Sequence, residues 1–381
     1  CNIIFPGRNS PGCLNDMEGS PRKDSIPPEG PSVGIKSPYD ASLYHYDLPE
    51  SLIAQAPVEP RDSSRLMVVD RTSRTIQHRV FREIGDLLLG TDLLVLNDTR
   101  VVKARLSAIK TGGGARIEIF LLKPLGGKGS ALWETLVRPG RRVKPGQRLV
   151  LGGGVEVVIG ESTGQGSRIC RFPPGTDVWN LMEESGAMPF PPYVHNPFID
   201  AERYQTVYGT RKGSVAAPTA GLHFTPSLLD GITSRGIRTA WITLDVGLGT
   251  FRPVKEQDIR LHKMHTEECF IPEETASAIK ETRKAGGRVI AVGTTVVRAL
   301  ESRVMEGGDV RPGSFSTDVF YYPGYRFRTI DAMITNFHLP RSTLLMLVCA
   351  FAGNELTMRV YDEAIERRYR FFSFGDAMFI L

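Results

Sequence analysis

Three segments of this chain repeat one plan: an apolar run, a polar loop, then a helix-forming stretch. Ile237–Leu244 runs into Asp245-Val-Gly-Leu-Gly-Thr-Phe251, and Glu273–Ala285 is the next helical stretch. Arg288–Val292 runs into Gly293-Thr-Thr295 and a helix to about Met305. Thr329–Ile334 runs into Thr335-Asn-Phe-His-Leu-Pro-Arg341, with a helix from Ser342. Strands alternating with helices at this spacing predict a parallel sheet. In such sheets ligands bind beyond the carboxyl ends of the strands, so these loops are where a site is expected. Asp92-Leu-Leu-Val-Leu-Asn-Asp-Thr-Arg100 reads as a further strand buried on both faces, its polar tail at the same edge. Asn97 and Asp98 are also ordinary turn formers.

A fourth loop precedes these units. Ser214-Val-Ala-Ala-Pro-Thr-Ala-Gly-Leu-His-Phe224 is built almost wholly from small residues, and it delivers His223 just before Thr225-Pro226. Thr then Pro is an N-cap followed by a first helical position. His223 is therefore expected at a helix mouth, where backbone N–H groups favour anionic or electron-rich ligands. A tight buried turn with a hydrogen-bonded histidine fits the same residues.

The chain changes texture between Val101 and about Arg171. Short β-type runs (Ala115–Leu122, Leu132–Val137, Arg148–Leu151, Val155–Ile159, Ser167–Phe172) alternate with Gly-rich turns, which predicts a small antiparallel barrel. Within it Arg138, Arg141, Arg142, Lys144 and Arg148 place five cations in eleven positions. A solvated hairpin accounts for them, and so does a surface that contacts phosphates by charge. Asp177–Ser185 returns to helix, Met188–Tyr193 is a Pro-stiffened extended segment, and Glu202–Tyr208 reads as helix. Residues 1–40 are rich in Pro, Gly and Ser and read as a disordered leader. The chain opens on Cys1 rather than Met, which fits a fragment or an upstream translation.

Composition narrows the class. Of 381 residues, 41% are hydrophobic and 23% charged, ordinary for a globular protein long enough for two domains. The net charge of +5 is compatible with a nucleic-acid partner and with much else. Five scattered cysteines, with no Cys-x-x-Cys pair, argue against a disulfide framework and a zinc site and for a reducing compartment. The longest apolar run, Leu344–Ala352, is too short to span a bilayer. No signal peptide is visible, and the expectation is a cytoplasmic monomer without a membrane partner.

The segment Lys212-Gly-Ser-Val-Ala-Ala-Pro-Thr-Ala-Gly-Leu-His-Phe224 resembles the signature of the S-adenosylmethionine:tRNA ribosyltransferase-isomerases of queuosine biosynthesis. Asn97–Arg100 and Met188–Tyr193 resemble that family too, and the resemblance runs from about Leu43 to the C-terminus. It implies an α/β main domain (41–100 and 177–381), with a mixed or barrel-like sheet, and an inserted small antiparallel β-barrel (101–176). It implies that the ribosyl unit of S-adenosylmethionine passes to the aminomethyl group of 7-aminomethyl-7-deazaguanine at the tRNA wobble position. The ribose is isomerised to an epoxycyclopentanediol, and adenine and methionine leave.

That chemistry needs a base at the ribose 5′ carbon and an acid for departing adenine, roles open to neutral imidazoles. The expected catalytic residues are His223, His265, His338 and Asp245. Expected around the substrate are Pro218, Thr219, Gly221, Gly247, Gly249, Thr250, Arg252, Thr294, Thr295 and Asn336, with Arg252, Thr294 and Thr295 candidates for the methionine carboxylate. The barrel cations are the expected tRNA contacts. S-adenosylmethionine is a substrate, and no cofactor is implied. His262 and His265 have half-site spacing for a metal, but no further ligand pattern accompanies them and the family uses none. Asp245 stands where the family usually shows histidine. A carboxylate does not replace a neutral imidazole as an acid without a large pKa shift, so reduced activity is expected. The rival readings are a catalytically impaired tRNA-binding homologue and a methyltransferase. The latter calls for a Gly-x-Gly loop after an N-terminal strand with an acidic residue following, an arrangement not found here.

Overall fold

The computed structural model describes residues 37–127, 129–164, 166–196, 198–247 and 253–381. The expected leader lies outside these residues as far as position 36. Pro38–Leu381 forms one unit. It begins with short 3-10 turns, then a hairpin of β1 (Arg65–Asp70) and β2 (Thr75–Val80) and a single helical turn, α1 (Ile84–Leu87). β3 (Leu93–Asn97) follows with all five residues buried, as an uninterrupted apolar run requires when both sheet faces are covered.

β4 (Thr99–Val101) leads into β5 (Arg105–Lys110), β6 (Arg116–Pro124), β7 (Leu132–Arg138), β8 (Gln147–Leu151), β9 (Glu156–Gly164) and β10 (Ser167–Arg171). These six close into an antiparallel barrel in the order β10-β7-β6-β5-β8-β9. Closure leaves no unpaired edge. Alternate residues point inward, so Ile117, Ile119, Trp133, Leu149, Val157, Ile159 and Cys170 form a separate small core.

α2 (Val178–Ser185) packs on the barrel, and the Asp177 carboxylate caps it by accepting from Asn180 N–H. β11 (Arg211–Ser214) pairs in parallel with β4. α3 (Pro226–Ser234) starts as expected, with Thr225 Oγ1 accepting from Leu228 N–H. The chain continues through β12 (Arg238–Leu244), β13 (Glu267–Ile271), α4 (Glu273–Lys284), β14 (Val289–Val292), α5 (Thr294–Glu301), β15 (Gly313–Thr317), β16 (Ala332–Asn336), α6 (Thr343–Ala352), α7 (Asn354–Glu366) and β17 (Ala377–Ile380).

The main sheet runs β15-β13-β12-β3-β14-β16-β17-β1-β2. β12, β3, β14 and β16 are mutually parallel neighbours, so the loops after them emerge at one edge. β17 is antiparallel to β16 and parallel to β1. The fold is thus an α/β mixed sheet with an inserted antiparallel barrel.

Two local expectations fail: the strand β13 stands between the first polar loop and α4, and the second failure lies at Glu202–Tyr208. Glu202–Tyr208 is not a helix: a 3-10 turn, Ala201–Tyr204, ends at an extended Gln205. The Gln205 amide accepts from Val101 N–H and donates to Val101 O. Side-chain capture of a strand edge wins there over helix continuation into β-branched Thr206 and Val207. Among the described residues no single helix is long and apolar enough to cross a membrane.

Candidate active site

Asn97 and Asp98, at the end of β3, brace the neighbouring strand. Asn97 Nδ2 donates to Leu244 O, Leu244 N–H donates to Asn97 Oδ1, and Thr243 Oγ1 donates to Asp98 Oδ1. Burial raises the Asp98 carboxyl pKa, offset in part by that hydroxyl and by Arg211. Both residues therefore hold the place where β12 turns into Asp245. Thr99 Oγ1 donates to Asp245 Oδ1 at 2.8 Å. Gly213 makes room for this carboxylate, since a Cβ there would stand 2.5 Å from Asp245 Oδ2.

Asp245 and Gly247 open onto a cavity of about 680 Å³ between the barrel and the sheet edge. Its barrel side carries Leu121, Lys123, Pro124, Leu125, Trp133, Glu134 and Leu136, with Trp179 from α2. Its sheet side carries Lys212, Gly213, Val215, Asp245–Gly247 and Met264–Glu268. A volume of a few hundred Å³ and more suits a nucleoside-sized ligand. Glu267 is buried in this wall. It accepts from Gly247 N–H at 3.1 Å and forms an ion pair with Arg298 of α5. The pair ties β13 to α5 and to the root of the Gly-rich loop. Glu267 and Arg298 were not among the expected site residues; their only sequence signal is the acidic pair Glu267-Glu268 just after His265.

His265 lines the cavity. His262 does not: its Nδ1 lies 3.0 Å from Glu256 Oε2 and its ring meets the edge of Phe320. The two imidazoles thus have separate surroundings. Gly249, Thr250 and Arg252, with neighbouring Phe251, lie outside the described residues.

A second neighbourhood gathers at the end of β16. His223 Nδ1 lies 2.7 Å from Ser64 Oγ, and Asn336 Nδ2 donates to His223 Nε2 at 3.2 Å and to Phe372 O. That donation makes Nε2 the acceptor and leaves the proton on Nδ1, facing Ser64. Phe81 stacks on the ring at 4.9 Å. The ring is therefore turned into the sheet edge, not toward the mouth of α3, whose cap is Thr225 itself. Burial pulls the His223 pKa down to about 4, against an opposing pull from Asp376. His338 Nε2 lies 2.9 Å from Thr335 Oγ1, and burial pulls its pKa down to about 3. Both imidazoles are neutral at physiological pH.

The spaces beside these histidines are small. One of about 20 Å³ is bounded by Arg61, Ser64, Arg203, His223 and Ser373. One of about 30 Å³ is bounded by Tyr193, Thr219, Asn336, His338, Ser342 and Ser373. Each suits a water molecule and neither suits a nucleoside. Pro218 is buried, one residue before Thr219 of the second space. Gly221 lies under Tyr208, whose hydroxyl is 2.0 Å from where a Cβ would be. Thr294 and Thr295 are buried at the start of α5, and Thr295 Oγ1 has no hydrogen-bond partner among the described residues. Asn336 Oδ1 is likewise unpartnered among them.

The Ser214–Phe224 stretch links the two neighbourhoods. Val246 N–H donates to Ser214 Oγ at the cavity, and nine residues later His223 meets Asn336. Arg138, Arg141, Arg142, Lys144 and Arg148 are exposed on the barrel surface. Arg148 pairs with Glu156, while the other four form no ion pair among the described residues.

Fold and site together define a class: an α/β protein with an inserted barrel and a nucleoside-sized, charged cleft where the two meet. The sequence profile described as "Queuosine biosynthesis protein" matches residues 41–380. An S-adenosylmethionine:tRNA ribosyltransferase-isomerase of Symbiobacterium thermophilum is 54% identical over 342 residues, spanning 89% of this chain and 99% of that one. One from Heliobacterium modesticaldum is 53% identical over 346 residues, 90% of this chain and 100% of the other. The crystal structure of the S-adenosylmethionine tRNA ribosyltransferase of Thermotoga maritima is 42% identical with a TM-score of 0.51, covering 89% of this chain and 100% of that one. The chain belongs to the queuosine biosynthesis protein family, and it is an enzyme, a transferase with an isomerase step.

Proposed function

We propose that this enzyme transfers the ribosyl moiety of S-adenosylmethionine to 7-aminomethyl-7-deazaguanine in the tRNA wobble position. It then isomerises the ribose to give epoxyqueuosine and releases adenine and methionine. The observation that carries the reading is the cavity of about 680 Å³, which puts Asp245, His265, Glu267 and Lys212 around one ligand-sized space. The sulfonium acidifies the ribose 5′ carbon, and a base in the cavity removes that proton. His265 is the group we assign to proton transfer, with Asp245 on the wall of the same cavity. His223 and His338, neutral and hydrogen-bonded, hold the sheet edge and the Ser214–Phe224 stretch in place. The barrel cations contact tRNA phosphates, which supply affinity without base readout. Reduced, buried Cys170, Cys269 and Cys349 support a cytoplasmic setting.

The test is incubation with S-adenosylmethionine labelled in the ribose and tRNA carrying the deazaguanine precursor. Adenine release with label on tRNA is expected. Label arriving only from the methyl group, or binding without release, overturns the reading. Binding without release is the signature of the impaired homologue, for which Asp245 is the motivating residue. We place this chain short of that: active, but slower than a histidine-bearing relative. Asp245→His then raises turnover, and an already normal rate that the substitution leaves unchanged refutes this.

A further inference from the structure

The best-prepared wall of the cavity is aromatic. Trp179 lines it and is only partly buried. Against Trp179 packs Trp133, almost wholly buried in the barrel core and lining the same cavity, with ring centroids 5.1 Å apart and planes at 67°. The Trp133 indole N–H donates to Ser130 O, which fixes that ring. The helix that carries Trp179 is also tethered. Glu183 lies one turn further along α2, on the same face, and its carboxylate takes the Lys212 ammonium at 2.8 Å. That contact brings the Trp179 face of α2 against the Lys212–Gly213 segment of the sheet edge. Gly213 presents backbone with no side chain, and Asp245 and Glu267 supply carboxylate acceptors in the same cavity.

An indole held this way matches a flat, aromatic ligand with N–H groups at its edge. We propose that Trp179 is the stacking platform for a purine-type base in this cavity, with the carboxylates of the sheet wall accepting from the base's edge. The inference rests on the function proposed above, which brings two such bases to the site: the adenine of S-adenosylmethionine and the deazaguanine of the tRNA. A core-filling role for Trp179 would need no aromatic face at all, and that difference is what the test uses. Stacking of one base on an aromatic side chain is lost on truncation at a cost of roughly ten- to a hundredfold in affinity.

The experiment compares wild type with Trp179→Phe and Trp179→Leu, titrating each with S-adenosylmethionine alone and with precursor-bearing tRNA alone, followed by calorimetry. Phe keeps a π face and Leu keeps apolar bulk. Near-wild-type binding by Trp179→Phe, with a roughly ten- to hundredfold loss in Trp179→Leu, is the expected result. Loss confined to S-adenosylmethionine identifies adenine as the stacked base, and loss confined to tRNA identifies the deazaguanine. Equal binding by Trp179→Leu and wild type overturns the platform while leaving the proposed function intact, and so does equal loss in both variants. A wild-type protein that binds neither ligand overturns both.

Discussion

At the scale of single residues, the two buried histidines and His265 are different kinds of group. His223 and His338 border spaces of about 20 and 30 Å³, with both ring nitrogens of His223 and Nε2 of His338 in hydrogen-bond contact, and burial holds their pKa values at about 4 and about 3. Their unfolded-state value is near 6.5. The unfolded chain therefore binds more protons than the folded one between those limits, so stability is complete above about pH 6.5 and falls as pH drops toward 4. Urea midpoints should decline from pH 7.5 to pH 5.0, and the decline should shrink in His338→Gln. A midpoint independent of pH in wild type would contradict buried neutral rings. His265 lines the large cavity instead, and His265→Gln should lower kcat at least about a hundredfold, the usual worth of a general acid or base. Single-turnover adenine release checks this, and a rate within a few-fold of wild type removes His265 from the chemistry.

At the scale of elements, the Glu267–Arg298 pair is the joint between β13, α5 and the Gly247 loop. Breaking a buried pair from one side leaves an uncompensated charge and costs about 3–5 kcal/mol. Arg298→Met should therefore destabilise by that order, and Glu267→Gln with Arg298→Met together should recover much of it. Denaturant melts decide, and additive losses would show that the pair is not a joint. The β11 strand carries its own prediction. Gly213→Ala puts a methyl group where Asp245 has its carboxylate, so turnover should drop at least about tenfold while the melting temperature moves only a few degrees. Unchanged turnover would mean that the Asp245 position is immaterial.

At the scale of the whole molecule, the proposed tRNA contacts of the barrel cations predict a salt response. Charge reversal at Arg141 and Arg142 should raise KM for tRNA, leave KM for S-adenosylmethionine alone, and reduce the slope of log affinity against log salt by about one to two. Equal salt slopes would place the tRNA elsewhere. This scale also shows what could be read in the sequence. The parallel core was legible because β3, β12, β14 and β16 are apolar runs that end in polar loops. Five of the six barrel strands were legible as short runs between Gly turns, and β5 was not among them. β2, β13 and β17 were not, since β2 is a half-exposed edge strand and β13 and β17 take their places from distant partners. The cavity was half legible. Asp245, Gly247 and His265 sit in recognisable loops. Trp133 and Trp179 come from elements whose own sequences read as barrel and helix, Glu267 comes from β13, whose sequence did not read as a strand, and only packing brings the three to one space.

β17 threads between β16 and β1, and the hydrogen bond from Arg65 N–H to the Asp376 carboxylate at its mouth joins positions 311 apart in sequence. The barrel strands, by contrast, all neighbour one another within a single stretch, Arg105 to Arg171. Chain closure over long separations is slow and local pairing is fast. During synthesis the barrel can form as soon as its own stretch emerges, whereas the sheet keeps an open seam beside β16 until β17 arrives. The nascent chain thus holds a finished barrel beside an unfinished sheet, and the loop edge beyond β16, where His223 and Asn336 meet, is among the last places to become native.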